Sequence, residues 1–203
     1  MTSLFEVTKP LPGARFGGTV RLAASAGGSD ADALAAAAEA APGALADALA
    51  RCGGLLLLKG MDSIAEAPAL LVRLSRFFGP EVEDYRQTLT SSNMVHDGVP
   101  EIFVVSNIPA VGRKPPPRPD PPLTADGKLP TRYPHRKGWH TDQSYRRPPP
   151  DISLFFAVEP VPRGQGQTLF ADGTAAYEAL PPALKHRVDR EEQRDVRRRP
   201  TVA

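Results

Sequence analysis

The sequence predicts an α+β fold that is mainly β, with helices flanking the strands. Two observations lead to this class. The first half contains alanine- and leucine-rich stretches with helical spacing, and the second half contains short apolar stretches separated by proline- and glycine-rich turns. Short strands divided by such turns are typical of an antiparallel sandwich or barrel. With 203 residues and 41% hydrophobic content, the chain is long enough to bury a core.

The helices are predicted from their caps and stop signals. Asp30 can cap the first helix, Pro42-Gly43 separates it from the second, and Cys52-Gly53-Gly54 ends the second. A third helix has Pro68 near its first turn and stops at Gly79-Pro80. The predicted helices are residues 30–41, 44–51, the stretch between Pro68 and Gly79, 174–180 and 182–188.

The strands are predicted from short apolar runs bounded by turn residues. They are residues 55–58, 101–106, 139–145, 152–158 and 167–170. Between two of them, residues 108–134 contain nine prolines, which exclude a helix or a central strand. This segment is predicted to be a long surface loop, either a lid or binding loop or a plain insertion.

The composition of the chain indicates which kinds of binding partner to expect. The formal net charge of +2 comes without a clustered basic face on the domain, so we expect no nucleic acid. Cys52 is the only cysteine, which excludes an internal disulfide and a cysteine-rich zinc site and fits a reducing compartment. There is no leader-like start and no run of about 20 apolar residues. We therefore expect a cytoplasmic protein with a small-molecule substrate and no membrane contact.

The chemistry is predicted from the sequence Trp139-His140-Thr141-Asp142. Residues two apart in a strand point to the same face, so His140 and Asp142 would direct an imidazole and a carboxylate into one cavity. This donor pair suits Fe(II), and a second histidine would complete a facial triad with three open positions. Alone, the triplet is weak evidence, because such spacings occur by chance and a lone histidine is usually hydrogen-bonded without ligating a metal.

Several motifs occur in an order that resembles the taurine dioxygenase-like (TauD/TfdA) family of Fe(II)- and 2-oxoglutarate-dependent dioxygenases. They are GLLLLKG at 54–60, FFGP at 77–80, WHTDQSY at 139–145, GQGQT at 164–168 and ADGTAAYEAL at 171–180. The resemblance covers residues 45–188 and implies a double-stranded β-helix (jelly roll) with flanking helices. It also implies that Fe(II), 2-oxoglutarate as co-substrate and O2 are used, with His140 and Asp142 as iron ligands and Thr168 contacting a carboxylate of 2-oxoglutarate.

Substrate contacts are predicted less directly. The resemblance places His96 near the polar residues of the substrate pocket, and Asn107 follows the predicted strand 101–106 near the long loop. For both, a loop residue that satisfies a turn is the favoured interpretation over a substrate contact. Arg136 and Lys137 precede the motif and would suit an anionic substrate, or would form a solvated charge pair. Trp139 is expected to pack beside the metal.

The sequence departs from the family pattern after Asp142. Family members have a second iron-ligating histidine and an arginine for 2-oxoglutarate late in the chain, whereas the last histidine here is His186, on a predicted helix that does not match that position. We expect an oxygenase domain over 1–188, incomplete at its C-terminus as in a truncated or frame-shifted product. Residues 189–203 would form a charged, disordered tail. Open sheet edges would favour pairing with another copy, as a homo-oligomer.

Three functions remain open at this point. The first is a dioxygenase that hydroxylates a small anionic organic substrate while 2-oxoglutarate is decarboxylated to succinate. The second is a non-catalytic remnant that acts through a partner. The third, a zinc hydrolase using His140 and Asp142, needs the same additional ligand and has no support from the GQGQT motif. The third metal ligand is the feature that separates these readings.

Overall fold

The computed structural model describes residues 5–11, 14–23, 30–105, 124–128, 139–143, 146, 148–160, 162 and 168–198. The chain divides into two compact units, Met1–Gln167 and Thr168–Ala203, each of which is described by itself. The domain boundaries expected from the sequence remain a prediction.

The first unit contains a three-stranded mixed sheet in the order β1-β2-β3. Strand β1 (Phe5–Thr8) pairs antiparallel with β2 (Gly18–Leu22), and β2 pairs parallel with β3 (Leu56–Leu58). The register places Val20 opposite both Val7 and Leu58. Strand β3 confirms the strand predicted from the run of leucines.

The central strand depends on a small residue at its start. A Cβ added at Gly18 would lie 2.5 Å from the Sγ atom of Cys52, which is shorter than any real contact of this kind. Cys52 is buried and forms no disulfide. It therefore packs directly on the strand, at the point where the helix before β3 ends.

Three helices form where the sequence predicts them. They are α1 (Ala31–Glu39), α2 (Ala44–Arg51) and α3 (Ala69–Ser75). Asp30 caps α1, since its Oδ1 accepts a hydrogen bond of 2.8 Å from the Ala33 N–H. Pro68 is the N-cap residue of α3. Short 3-10 helices at Asp62–Ala65, Tyr85–Gln87 and Ser92–Met94 complete this part of the chain.

The core of the first unit lies between the sheet and these helices. Leu34, Leu45, Leu74 and Val20 are the largest fully buried side chains. Leu154 and Phe156 pack against this cluster from the second half of the chain, so residues 154–156 cover the core although they form no strand. In the part of the chain that the structure describes, no single helix is long and apolar enough to cross a membrane; α1 and α2 pass that test only as a pair, which is bent by 101°.

Most strands predicted in the second half are wrong for the residues that the structure describes. Residues 101–105 form only an isolated bridge between Val95 and Phe103, and the described parts of 139–145, 152–158 and 167–170 are irregular. A strand requires a hydrogen-bonded neighbour, which apolar alternation alone does not supply. The described residues thus show an α+β arrangement with a small sheet and no jelly roll. Of the proline-rich loop only residues 124–128 are described, as a turn in which Thr124 N donates to Lys128 O.

The second unit contains two helices, α4 (Gly173–Glu178) and α5 (Pro182–Arg198). Both were predicted, but α5 extends ten residues beyond Val188, through most of the segment expected to be a disordered tail. Arginine, glutamate and glutamine are good helix formers, so a polar composition is compatible with a continued helix. The Tyr177 hydroxyl of α4 donates a hydrogen bond of 2.8 Å to Asp189 Oδ1 of α5.

Candidate metal centre

The predicted ligand pair lies in an irregular segment that ends in a turn. Residues 139–141 have no regular secondary structure, and Asp142 and Gln143 form the turn. Gln143 has a φ of 53°, in the left-handed region that residues other than glycine seldom adopt. The turn is closed by a hydrogen bond of 3.0 Å from the Arg146 N–H to the Gln143 carbonyl. This hydrogen bond connects Gln143 to Arg146, directly after the predicted ligand pair.

The two predicted ligands lie together. His140 Nε2 is 3.1 Å from Asp142 Oδ1, and the two side chains are 75% and 78% exposed. Two adjacent ligands at about 2.1 Å from an octahedral metal ion are separated by about 3.0 Å, so the observed spacing fits one ion bound by both atoms. The same spacing allows a hydrogen bond in the absence of metal. The pair thus has the donor types and the spacing for two of the ligands of Fe(II).

The geometry that produces this spacing differs from the prediction. In a strand, the Cα atoms of residues two apart are separated by about 6.6 Å, and their side chains run parallel to each other. Here Asp142 lies in a turn, and its Oδ1 is 3.1 Å from His140 Nε2. The prediction that both side chains serve one site is consistent with the structure, whereas the strand that was expected to position them is absent from residues 139–143.

Within the residues that the structure describes, no group of three or more histidine, cysteine, aspartate or glutamate side chains is placed to hold a metal ion. His186 lies exposed on α5, in the second unit. Trp139 is 69% exposed, and its packing beside a metal ion stays a prediction.

His96 satisfies a turn in the structure. Its Nδ1 accepts hydrogen bonds from the N–H groups of Gly98 and Val99, at 3.2 and 3.1 Å, which leaves the proton of the neutral ring on Nε2. It also lines a shallow cleft of about 300 Å³. The other lining residues are Arg86, Thr90, Ser92, Val95 and Asp97.

The remaining predicted site residues do not belong to the described part of the first unit. Thr168 is exposed at the start of the second unit. Asn107, Arg136 and Lys137 lie outside the described residues. The candidate site therefore consists of His140 and Asp142, with the turn that follows them.

Two residues that form contacts at this turn, Arg146 and Glu83, were not predicted from the sequence. Arg146 Nη2 donates to Glu83 Oε1 at 3.0 Å, and its Nη1 donates to Gln143 Oε1 at 2.9 Å. Glu83 lies 63 positions before Arg146, so no local pattern could have revealed the contact. The proximity of Arg146 to the ligand motif was the one available signal.

Comparison with known proteins identifies the family of the chain. The family model described as "Taurine catabolism dioxygenase TauD, TfdA family" matches residues 8–202. Pentalenolactone F synthase of Streptomyces avermitilis is 50% identical over 50 residues, which are 25% of this chain and 16% of that protein. Its counterpart in Streptomyces arenae is 34% identical over 88 residues, which are 43% and 25% of the two chains.

A third relative, the alpha-ketoglutarate-dependent sulfonate dioxygenase of Saccharomyces cerevisiae, is 48% identical over 48 residues, 24% of this chain and 11% of that protein. Each matched stretch spans a quarter or less of the relative's length. No solved structure matches the chain significantly. Since the family model covers nearly the whole sequence, the chain belongs to the TauD/TfdA family of dioxygenases.

Proposed function

We propose that this chain supplies part of an Fe(II)- and 2-oxoglutarate-dependent dioxygenase that hydroxylates a small, anionic organic substrate. His140 Nε2 and Asp142 Oδ1 would bind the ferrous ion from neighbouring positions. When bound, iron and 2-oxoglutarate supply the oxidising chemistry, in which O2 is consumed and 2-oxoglutarate is decarboxylated to succinate. A cytoplasmic location, and pairing with another copy of the chain, belong to the same proposal.

The observation that supports this proposal most strongly is the 3.1 Å separation of the imidazole nitrogen and the carboxylate oxygen. A nitrogen and an oxygen donor at this spacing can bind one ion without any movement of the backbone. Their exposure leaves room for further ligands on the same ion. Family membership is independent support, as is the relative from Saccharomyces cerevisiae that is described as alpha-ketoglutarate-dependent.

Thr168 is proposed to donate its hydroxyl to a carboxylate of 2-oxoglutarate. Its side chain is exposed and therefore accessible to a ligand. A second histidine is required for a complete facial triad. Substrate contacts are proposed for His96, whose Nε2 proton can face the cleft beside Arg86, and for Asn107. A guanidinium at that cleft suits an anionic group.

A second candidate is a non-catalytic domain that acts through a partner. It is favoured by the lack of a third ligand at the pair among the described residues, and by several large apolar side chains that are exposed. Phe155, Val158 and Phe170 are examples. Such side chains are usually covered in a functional oxygenase, by the same chain or by another.

The two candidates are separated by anaerobic spectroscopy. Under argon, protein with Fe(II) should develop a weak visible charge-transfer band when 2-oxoglutarate is added, because the keto acid binds the metal directly. Thr168→Val removes the hydroxyl at nearly constant volume. It should weaken 2-oxoglutarate binding by about 10- to 100-fold, since a hydrogen bond to a charged group contributes about 1.5–3 kcal/mol. A wild-type protein that binds Fe(II) but gives no band would favour the non-catalytic candidate.

A further inference from the structure

A bidentate ion pair between Arg146 and Glu83 connects the turn that follows Asp142 to a segment distant in the sequence. Arg146 Nη2 donates to Glu83 Oε1 at 3.0 Å, and Arg146 Nη1 lies 2.6 Å from Glu83 Oε2. Two parallel contacts between a guanidinium and a carboxylate fix the direction of both groups as well as their distance. The pair therefore restrains orientation in a way that a single contact between point charges would not.

The same arginine also restrains the turn itself. Its Nη1 donates to Gln143 Oε1 at 2.9 Å, and its backbone N–H donates to the Gln143 carbonyl at 3.0 Å. Gln143 needs such contacts, because a left-handed backbone conformation is unfavourable for a residue with a side chain. Since Gln143 is bonded directly to Asp142, contacts that hold Gln143 also restrain the backbone that carries the Asp142 carboxylate.

The other end of the pair is held in place by the fold. Glu83 lies between Phe78, which packs against the core, and Asp84, whose Oδ1 accepts a hydrogen bond of 2.9 Å from the Arg86 N–H. The next residue, Tyr85, donates its N–H to the Pro100 carbonyl at 3.0 Å. Glu83 thus directly precedes a segment whose backbone is held by hydrogen bonds.

The ligands themselves have little packing to orient them. Residues 139–142 are all exposed, and the His140 and Asp142 side chains are 75% and 78% exposed. Glu83 and Arg146 are more shielded, with side chains that are 34% and 33% exposed. The ion pair is thus the better-protected contact next to the ligand segment, and water competes with it less.

We propose that Glu83 and Arg146 are positioning residues that hold the turn after Asp142, so that the carboxylate stays directed toward the His140 imidazole. The inference rests on the proposed function for its metal, but the restraint on the turn can be measured without metal. Glu83 and Arg146 would contact neither the metal nor the substrate.

The first test uses the metal-free protein. Trp139 is the only tryptophan, so its time-resolved fluorescence anisotropy reports motion next to His140. Arg146→Gln should raise the amplitude of nanosecond motion at Trp139 at least about twofold, since loop motion occurs on this timescale. Arg73→Gln is the matched control, because Arg73 is 36% exposed and forms ion pairs with Asp32 and Glu39 elsewhere in the same unit. The control should leave Trp139 unchanged.

The second test measures Co(II) affinity by quenching of the same fluorescence. Residues that orient metal ligands typically change affinity by about 10- to 100-fold when mutated, and we expect this loss for Arg146→Gln. Glu83→Gln, which removes the charge at constant volume, should also weaken Co(II) affinity. It provides a second test of the ion pair if Arg146→Gln folds poorly. The double variant Glu83→Arg, Arg146→Glu, which reverses the ion pair, should restore part of the Co(II) affinity. The control Arg73→Gln should leave the Co(II) affinity unchanged.

The outcomes separate this inference from the proposed function. A wild-type protein that binds Co(II), with Trp139 motion and affinity unchanged in Arg146→Gln and Glu83→Gln, overturns the positioning role and leaves the proposed function standing. A wild-type protein that binds no Co(II) counts against the proposed function. In that case the anisotropy comparison alone decides whether the pair holds the turn.

Discussion

Substitution of His140 by alanine should separate metal binding from folding. The His140 side chain is 75% exposed, and its hydrogen-bond contact is with Asp142 at 3.1 Å. Exposed pairs of this kind contribute about 0–1 kcal/mol to the free energy of unfolding. The free energy of unfolding, measured by urea denaturation of the metal-free protein, should therefore fall by less than about 1 kcal/mol.

The metal affinity should fall much further. Loss of an outer residue that orients a ligand costs about 10- to 100-fold, so loss of a ligand itself should cost at least about 100-fold. This corresponds to about 2.8 kcal/mol, since a tenfold change is about 1.4 kcal/mol. Co(II) titrated into metal-free protein should quench Trp139, which adjoins His140. Asp142→Ala should give a loss of similar size.

His186→Ala is the matched control, because it removes the same side chain from an exposed position on α5. It should leave the Co(II) affinity within about twofold of wild type. Equal losses in His140→Ala and His186→Ala would refute the reasoning, because both histidines would then serve the metal. Wild-type affinity in His140→Ala would show that the 3.1 Å pair is an ordinary surface hydrogen bond.

Three further predictions concern the fold. Leu34→Ala should destabilise the protein by about 2–5 kcal/mol in urea denaturation, because Leu34 is fully buried in the core. Gly18→Ala should cost about 1–3 kcal/mol through its clash with Cys52 Sγ, and a Cys52→Ala background should reduce that cost. The pKa of Tyr177 is raised above 10.0 by its hydrogen bond to Asp189, so this contact should stabilise the fold below about pH 10 and be lost as the pH rises through the raised pKa. Absorbance titration of phenolate should show one tyrosine shifting to lower pKa in Asp189→Asn, and an unchanged curve would count against the contact.

The first half of the fold was predictable because its signals are local. The Asp30 cap acts on an N–H three residues away, and Pro68 starts α3 at its own position. The glycines after Cys52 end α2 where they occur. Each of these signals acts within a few residues, so a pattern in the sequence is enough to locate it.

The second half was less predictable because strand formation depends on partners. Residues 152–158 were predicted as a strand because they form a short apolar run, and two of them, Leu154 and Phe156, do pack against the core. The described residues of this run nevertheless show no ladder with a neighbouring strand. Side-chain burial follows from the local sequence, but backbone pairing requires a second segment at the correct distance.

At the candidate metal centre, too, the residue types could be predicted from the local sequence, but the contacts with distant segments could not. The residue types at His140 and Asp142 were sufficient to predict a nitrogen and an oxygen donor two positions apart. The turn that follows them, with its left-handed Gln143, was not predicted by that spacing. This turn contacts Arg146 and, through it, Glu83 at a distance of 63 residues along the chain. The donor types could therefore be predicted from the motif, whereas the contacts of the neighbouring turn form only in the folded chain.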